Sequence, residues 1–250
     1  MAEIFSGLGL AALRRLAAVP SVLAFDLDGS LAPIVPNPED ARVPETTAAL
    51  LTALERLWPL AIITGRSIAD ARQRLGFLPT YLYGNHGAER SSGSMESTWH
   101  RRLNPCRKHL IRNRAELASR GIVVEDKGLS LALHYRSSGN AVMASSWLNA
   151  LVAPVNGSIH TSHGHWVMNI TPRHAPDKGD ALLEIIQDSR AVQAFMMGDD
   201  VNDECAFDKA PPGSVTVRVG PLDIPSGAQF RLPTQGRVDA LLTMLLALRR

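Results

Sequence analysis

Two carboxylates, Asp26 and Asp28, directly follow the apolar run SVLAF (21–25), where a buried strand is expected to end. Residues i and i+2 of an extended chain point to the same side, so both acids can face a ligand while Leu27 packs behind them. Gly29 lets the chain turn sharply there. Such a pair could bind a metal, act as an acid/base pair, or supply a nucleophile and its acid/base helper. The alternative is an Asp-Gly turn with a solvated carboxylate.

A second acidic segment, GDDVNDE (198–204), follows the apolar run QAFMM. Clustered carboxylates such as Asp199, Asp200 and Asp203 suit a hard cation, and Mg²⁺ takes oxygen ligands of this kind. The segment is a poor match to an EF-hand, which requires a glycine at its bend and an acid where Val201 stands. An acidic loop that caps a helix is the alternative, but acids this close together would repel one another without a cation.

Two further residues could bind an anionic group. Thr64 ends the buried run LAII and Gly65 follows it, so the hydroxyl and nearby backbone N–H groups could receive an anionic oxygen. Lys178 stands at the start of the helical segment DKGDALL, where a cation opposes the helix macrodipole, and a phosphate beside it would explain that position. The alternatives are a strand-to-helix turn without a ligand and a lone surface lysine.

The elements that must position these residues form a regular pattern. Predicted strands alternate with predicted helices, which indicates a mainly parallel sheet covered on both faces, and ligands bind at the carboxyl ends of such strands. The predicted strands are 21–25, 59–63, 193–197 and 214–220, and the predicted helices are 45–57, 67–75, 177–186 and 237–250. Each candidate residue therefore lies at the end of a core strand or the start of a core helix.

The pattern changes after Tyr83. Alternating apolar and polar residues there indicate an antiparallel or mixed sheet with one solvated face. The predicted elements are a polar helix at 104–121, a strand at 128–136 and a hairpin at 158–170 that turns at His163-Gly164. We therefore predict an α/β fold in which a smaller α/β cap interrupts a parallel-sheet core. The predicted ranges are 1–84 and 172–250 for the core and 85–171 for the cap.

Composition limits the function. The 250 residues are 45% hydrophobic and 20% charged, with a formal net charge of +2, as in ordinary globular proteins. The sequence contains no dense basic run interleaved with aromatic residues, so we expect no nucleic-acid partner. The pattern of residues 1–20 predicts a short amphipathic helix. This segment has fewer apolar residues than the ~20 that a membrane span requires. Cys106 and Cys205 suggest no disulfide framework. We expect a cytoplasmic monomer that acts on a small molecule, with no membrane partner.

Taken together, the four segments resemble the motifs of the haloacid dehalogenase superfamily of phosphohydrolases. They are DLDGS (26–30), Thr64 within ITGR, Lys178 within DKGDAL, and GDDVND (198–203). Ser30 stands where the superfamily usually has threonine, a change that keeps a hydroxyl. The resemblance implies a Rossmann-like parallel-sheet core with an inserted cap, and hydrolysis of a phosphate ester through an aspartyl-phosphate.

The resemblance also implies a role for each motif residue. Asp26 would attack phosphorus, and Asp28 would protonate the leaving alcohol and then activate water. Thr64 and Lys178 would hold the phosphoryl oxygens. Magnesium would bind through the Asp26 carboxylate, the Asp28 backbone carbonyl and Asp199. Further metal-binding or supporting groups would be Asp200, Asn202 and Asp203.

Within the superfamily, the chain is similar to the trehalose-6-phosphate phosphatase family. The similarity extends into the predicted cap through GNHGAE (84–89), VEDKGLSLALHYR (124–136) and VMNITPR (167–173). It implies that Glu125 and Lys127 reach sugar hydroxyls, because a carboxylate is a good acceptor for them. The substrate-binding residues implied by the resemblance are Gly65, Arg66, His86, Glu125, Lys127, Asn169 and Asn202.

One departure widens the choice of substrate. Asn169 stands where the family usually has glutamate, so a charged acceptor of sugar hydroxyls is replaced by a neutral amide. Trehalose 6-phosphate is the first expectation, and sucrose 6-phosphate or glucosylglycerol phosphate are alternatives. A sugar-phosphate mutase and a catalytically idle sugar-phosphate sensor are further alternatives. The idle sensor is disfavoured, because a binding module needs no nucleophile beside an acid/base group.

Overall fold

The structure is a computed structural model that describes residues 1–90, 96–164, 166–221 and 223–249. The chain divides into two compact units. The core unit comprises Met1–Ser91 and Pro176–Arg250, and the inserted unit comprises Ser92–Ala175. The boundaries therefore lie a few residues after the predicted positions, 84–85 and 171–172. Within the described ranges, no helix combines the length and the apolar character needed to cross a membrane.

The elements follow one another in three stretches. The first contains β1 (Ala2–Glu3), α1 (Gly7–Ala17), β2 (Ser21–Phe25), α2 (Glu45–Glu55), β3 (Leu60–Ile63), α3 (Ile68–Leu75), β4 (Tyr81–Gly84) and β5 (Glu89–Arg90). The second contains α4 (Glu96–Arg102), α5 (Asn104–Arg112), α6 (Arg114–Ser119), β6 (Val123–Asp126), β7 (Leu131–His134), α7 (Ala141–Val152), β8 (Ile159–Gly164) and β9 (Val167–Pro172). The third contains α8 (Lys178–Ser189), β10 (Gln193–Gly198), α9 (Glu204–Lys209), β11 (Val215–Val219), β12 (Phe230–Leu232) and α10 (Val238–Ala247).

The core unit contains an eight-stranded sheet in the order β1-β12-β11-β10-β2-β3-β4-β5, parallel except for β5. The central strands β2, β3 and β10 are mainly apolar, as expected of parallel strands that helices cover on both faces. Alternate residues of β2 enter different apolar clusters: Leu23 and Phe25 pack on one face, and Val22 and Ala24 on the other. The carboxyl ends of β3, β2 and β10 consequently lie side by side, which places the predicted motif residues at one edge of the sheet.

The inserted unit has its own sheet and its own apolar core. Its four strands are antiparallel in the order β6-β7-β9-β8. Leu131 and Leu133 of β7 and Met168 of β9 pack with Leu110 and Leu148 of the helices in one apolar cluster. The predicted alternation of apolar and polar residues thus corresponds to one sheet face covered by helices.

Two predictions about the inserted unit were wrong in detail. Residues 104–121 form two helices, α5 and α6, because the side-chain amide of Asn113 donates to the His109 carbonyl and competes with the helical backbone bond. The hairpin does not turn at His163-Gly164: both residues remain in the ladder, and Gly164 pairs with Val167. The turn lies two residues later, where Trp166 has a positive φ of 62° and residue 165 lies outside the described residues.

Candidate active site

Asp26 and Asp28 follow the end of β2. The backbone N–H of Asp26 donates to the Met197 carbonyl at 2.8 Å, which fixes its position beside the end of β10. Leu27 is fully buried in the apolar core. Asp26 is buried, whereas the Asp28 side chain retains 39% of its exposure. The two acids therefore occupy different environments, one shielded and one accessible to water.

Lys178 joins two of the predicted motifs. It is the first residue of α8, and its Nζ lies 2.8 Å from Asp26 Oδ1 and 2.7 Å from Asp203 Oδ1. All three side chains are buried, because Leu182 and Ile185 anchor α8 in the core. Burial lowers the pKa of the Lys178 ammonium, but Asp203 and Asp26 more than compensate, so this pKa is raised. Lys178 is therefore a fixed cation between two carboxylates.

The acidic loop after β10 is held by its own hydrogen bonds. The Asp200 carboxylate accepts from the Val201 N–H at 2.7 Å and from the Asn202 side-chain amide at 2.9 Å. The Asp200 N–H donates to Asp203 Oδ2 at 2.9 Å, which completes a capping box. These bonds engage the side chains of Asp200 and Asn202 within the loop, which the two residues thereby support.

Three of the carboxylates predicted to bind or support a metal come together, and Asp28 was predicted to contribute its backbone carbonyl instead. Asp26, Asp199 and Asp203 offer carboxylate oxygens that lie within 4.8 Å of one another. The carboxylates of Asp28 and Asp200 are not in this group: the first is bound by an arginine and the second lies in the loop bonds. Among the described residues, this trio is the site at which a cation could bind.

Asp199 carries the observations that fit a magnesium ion. Its Oδ1 is buried and has no hydrogen-bond partner within the described part of the chain. Burial raises the pKa of Asp199 to about 9, and Asp26 and Asp203 add to this rise. Gly29, with φ +75°, allows the close approach, because a Cβ there would lie 2.0 Å from Asp199 Oδ2. An unsatisfied carboxylate among other acids suits a hard cation that prefers oxygen ligands.

Thr64 and Arg66 lie after β3, next to β2 in the sheet. Thr64 is buried, donates through its N–H to the Tyr83 carbonyl and accepts from the Arg66 N–H at 3.2 Å. The Arg66 guanidinium binds both carboxylate oxygens of Asp28, at 2.6 and 2.7 Å, and reaches Asp70 at 2.6 Å. Arg66 was predicted to bind substrate; in this structure it pairs with the predicted acid/base group.

His86 lies in a left-handed turn after β4. Asn85, His86 and Gly87 all have positive φ, at 48°, 61° and 104°. The His86 N–H donates to the Thr64 carbonyl at 2.9 Å. Its ring covers Gly65 so closely that a Cβ there would lie 2.5 Å from Cε1. Two consecutive non-glycine residues in the left-handed region, followed by a glycine that adopts it freely, thus hold an imidazole against the turn after β3.

The predicted sugar-binding residues share one face of the inserted unit's sheet. Glu125 pairs with Ala132, Ala132 with Asn169, and Asn169 with Ser162 in successive strands. Residues directly opposite one another in a ladder point to the same face. This face is opposite the one that packs against the helices, and its row of side chains offers a carboxylate, an amide and a hydroxyl.

Glu125 has two cationic or polar neighbours. His134 Nε2 lies 2.9 Å and Lys127 Nζ 3.7 Å from Glu125 Oε2. His134 was not predicted as a site residue, although its place in the alternating stretch SLALH puts it on this face. Arg218 of β11 was also missed, and its signal is a charged residue within the strand VTVRV, in which every second residue is valine.

Comparison with known proteins identifies relatives over most of the chain. A family model described as Trehalose-phosphatase matches residues 24–229. The trehalose-phosphate phosphatase of Mycolicibacterium paratuberculosis is 31% identical over 203 residues, covering 76% of this chain and 51% of that protein. That of Mycobacterium tuberculosis is 28% identical over 249 residues, covering 94% of this chain and 63% of that protein. The chain thus spans between about half and two thirds of these relatives' length.

Solved structures share the fold. The C. albicans trehalose-6-phosphate phosphatase C-terminal domain has a TM-score of 0.80 at 20% identity, covering 95% of this chain and 96% of that chain. The Synechocystis sucrose-phosphatase, solved with sucrose and phosphate, has a TM-score of 0.58 at 17% identity, covering 91% and 98%. The predicted haloacid dehalogenase fold is confirmed. Because the family model spans all four motifs, this chain belongs to the trehalose-phosphatase family.

Proposed function

We propose that this protein is a magnesium-dependent phosphatase that hydrolyses trehalose 6-phosphate to trehalose and inorganic phosphate. The observation that carries the proposal is the buried Asp26–Lys178–Asp203 cluster, with the unpartnered Asp199 oxygen beside it, in a chain of the trehalose-phosphatase family. A buried nucleophile beside a fixed cation is the arrangement that phosphoryl transfer requires. The proposal includes a cytoplasmic monomer, for which the two unpaired cysteines support a reducing compartment.

In the first step, an Asp26 oxygen attacks phosphorus and the bond from phosphorus to the sugar oxygen breaks. Asp28, entering as a carboxylic acid, gives its proton to the departing alcohol. Burial raises the pKa of Asp26 to about 7, against the opposing effect of Lys178, so a substantial fraction is ionised at neutral pH. Asp26 and Asp203 occupy two of the three ammonium donors of Lys178, which leaves one to hold a phosphoryl oxygen.

In the second step, Asp28 takes a proton from water as that water attacks phosphorus. The bond from phosphorus to Asp26 then breaks, which releases inorganic phosphate and restores both acids. Arg66 binds both Asp28 oxygens here, so this pair must open before Asp28 can carry a proton. Thr64 and its neighbouring backbone would hold phosphoryl oxygens throughout. Magnesium held by Asp26, Asp199 and Asp203, with the Asp28 carbonyl, would offset the repulsion between the nucleophile and the phosphate.

The inserted unit would recognise the sugar. Glu125, Lys127 and Asn169 belong to one face of its sheet or lie beside it, where they would bind sugar hydroxyls. Asn169 favours a second candidate, a phosphatase for another glycosyl phosphate, because an amide donates as well as accepts and so suits a different hydroxyl pattern. Gly65, His86 and Asn202 are proposed to line the phosphate side of the substrate.

The proposal is tested by measuring inorganic phosphate release from four substrates with and without Mg²⁺. These are trehalose 6-phosphate, sucrose 6-phosphate, glucosylglycerol phosphate and glucose 6-phosphate. We expect a Mg²⁺-dependent preference for trehalose 6-phosphate. Preference for another substrate would keep the mechanism and change the specificity, with Asn169 as the first residue to substitute. No release from any of them would support the idle sensor.

The nucleophile is tested by the Asp26→Asn variant. An amide cannot attack phosphorus, so we expect turnover to be abolished while circular dichroism and the unfolding transition of the protein are retained. The matched control is Asp223→Asn, which alters an exposed acid and should leave turnover unchanged. An active Asp26→Asn variant would rule out Asp26 as the nucleophile.

A further inference from the structure

Arg218 is the one charged residue of a buried strand, VTVRV. It belongs to β11, whose five residues are all buried, and only 5% of its surface is exposed. In the ladder between β10 and β11 it stands directly opposite Gly198, the last residue before the acidic loop. A buried charge is costly unless it is paired and hydrogen-bonded, so its partners should explain its place.

The guanidinium of Arg218 binds the main chain of the acidic loop. Nη2 donates to the Asp199 carbonyl at 2.7 Å, and Nη1 donates to the Asp200 carbonyl at 3.3 Å. Nη1 also donates to Glu204 Oε1 at 2.7 Å, and the other oxygen of Glu204 accepts from the Gly227 N–H at 2.8 Å. The planar guanidinium therefore fixes two consecutive peptide groups, and Glu204, which the Gly227 N–H holds, fixes the guanidinium.

These bonds hold the loop against its own charge. Without a cation, the Asp199 carboxylate repels those of Asp26 and Asp203, because oxygens of the three lie within 4.8 Å of one another. The loop would relax by swinging the Asp199 carboxylate away from the other two if its backbone were free. Arg218 restricts that movement by binding the carbonyl of the same residue, which holds the backbone that carries the Asp199 carboxylate.

We propose that Arg218 is a positioning residue for the magnesium site, which acts by fixing the backbone of Asp199 and Asp200. Removing it should weaken magnesium binding, because partners that orient ligands typically contribute about 10- to 100-fold in metal affinity. This inference rests on the magnesium dependence in the proposed function. It goes beyond that function in assigning a residue that touches neither the substrate nor the metal.

Arg231 provides a matched control. It stands directly opposite Arg218 in the ladder between β11 and β12, so the two side chains share a sheet face. It is equally buried and also donates to two backbone carbonyls, those of Gly220 and Ile224. In both arginines the Nε is buried without a hydrogen-bond partner among the described residues. Arg218 holds the acidic loop after β10, whereas Arg231 holds the backbone at Gly220 and Ile224.

The experiment titrates Mg²⁺ alone into the whole protein by isothermal calorimetry, without substrate. Wild type, Arg218→Met, Arg218→Lys and Arg231→Met are compared, and thermal unfolding in EDTA reports the stability of each. We expect both methionine variants to lose stability. Only Arg218→Met should raise the dissociation constant of Mg²⁺ by about 10-fold or more. Arg218→Lys, which keeps a cation but loses the planar guanidinium, should fall between wild type and Arg218→Met.

Equal Mg²⁺ affinities for wild type and Arg218→Met would overturn this inference alone. Equal losses in Arg218→Met and Arg231→Met would also overturn it, because general destabilisation would then explain the effect. No Mg²⁺ binding to wild type would instead remove the magnesium site from the proposed function, and the role of Arg218 with it. If Arg218→Met does not fold, the comparison of Arg218→Lys with wild type and Arg231→Lys decides in the same way.

Discussion

The buried carboxyl of Asp26 lies beside the half-buried carboxyl of Asp199, and the fold raises the pKa of both. Burial raises the pKa of Asp199 to about 9, with Asp26 and Asp203 adding to the rise. Burial raises that of Asp26 to about 7, although Lys178 opposes it. Both pKa values lie above 3.8, the ordinary value for this side chain. At pH values between the ordinary pKa and the raised ones, the folded protein therefore holds more protons than the unfolded chain. Ionising these groups therefore destabilises the metal-free fold as pH rises.

We predict that the melting temperature of the protein in EDTA falls as pH is raised from about 5 to about 9. Asp199→Asn removes the carboxyl with the larger shift and should flatten most of that fall. Adding Mg²⁺ should raise the melting temperature most at the alkaline end, because metal ligands must be deprotonated. Circular dichroism melts across the pH series measure this. A fall that is equally steep in Asp199→Asn would contradict the assignment.

For individual residues, the sequence indicates the candidate site residues better than it indicates their side-chain contacts. Asp26, Lys178 and Asp199 were predicted because each adjoins an apolar strand or begins a helix, and strand ends meet at one sheet edge. The pairing of Arg66 with Asp28 could not be predicted, because it depends on side-chain directions in two segments far apart in sequence. Arg218 has a visible sequence signal, but its partners are known only from the three-dimensional structure.

The element that matters most to the cluster is the first turn of α8, which presents Lys178. Asp177 caps this helix through the N–H groups of Gly179 and Asp180, and Asp180 completes a capping box. Lys209 binds the two oxygens of Asp177 at 3.0 and 2.9 Å and Asp180 at 2.6 Å. The macrodipole disfavours a lysine at this end, so the two acids compensate for the charge of Lys178.

Asp177→Ala should lower the free energy of unfolding by about 0.5–2 kcal/mol, the usual effect of losing an N-cap. It should also lower kcat, because the start of α8 frays and Lys178 loses its fixed position. Urea denaturation and steady-state kinetics measure the two effects. The control is Asn140→Ala, which removes the N-cap of α7 and should lower stability without lowering kcat. Equal kcat losses in both variants would show that the effect is not local.

The sheet of the inserted unit gives a prediction about specificity. Glu125→Ala should raise KM for the sugar phosphate about 10-fold or more, because a charged hydrogen bond is lost. The KM for a small aryl phosphate, which has no sugar to bind, should change little. Steady-state kinetics on both substrates measure this. Glu116→Ala serves as the control, since Glu116 is an exposed acid of α6 that pairs with Arg120. Equal effects on both substrates would remove Glu125 from sugar recognition.

Most of the long elements were predictable because they are continuously apolar or have helical periodicity. The strands at 21–25 and 193–197 occur within a residue of their predicted ranges. The helix α7, at Ala141–Val152, was not predicted. The short strands β1, β4, β5, β6 and β12 were not predicted either, since segments this short depend on pairing with a neighbour.

Charge is distributed unevenly between the inserted unit and the core unit. The formal net charge is +2, yet residues 92–175 contain ten Lys and Arg against four Asp and Glu. The core unit is correspondingly acidic. A sugar phosphate carries negative charge, so the basic inserted unit should draw it in from solution, and this attraction is screened by salt.

We predict that kcat/KM for the sugar phosphate falls as KCl is raised, while kcat changes little. Replacing three exposed cations of the inserted unit, Lys108, Arg112 and Arg114, by glutamine should flatten this dependence. The matched control replaces three exposed cations of the core unit, Arg15, Arg56 and Arg72, and alters the net charge equally. Similar salt dependence in both triple variants would assign the effect to net charge alone.

The pairing of β2 with β10 has a consequence for how the protein is made. Ser21 pairs with Gln193, so Asp26, the proposed nucleophile, is synthesised long before the strand that completes its surroundings. The inserted unit has its own apolar core and sheet, and we expect it to fold as soon as it emerges from the ribosome. Until β10 follows, one edge of β2 stays unpaired, with hydrogen-bonding groups open to other chains. Nascent chains halted within the inserted unit should therefore depend on chaperones, and release from that dependence should coincide with synthesis of β10 and the acidic loop after it.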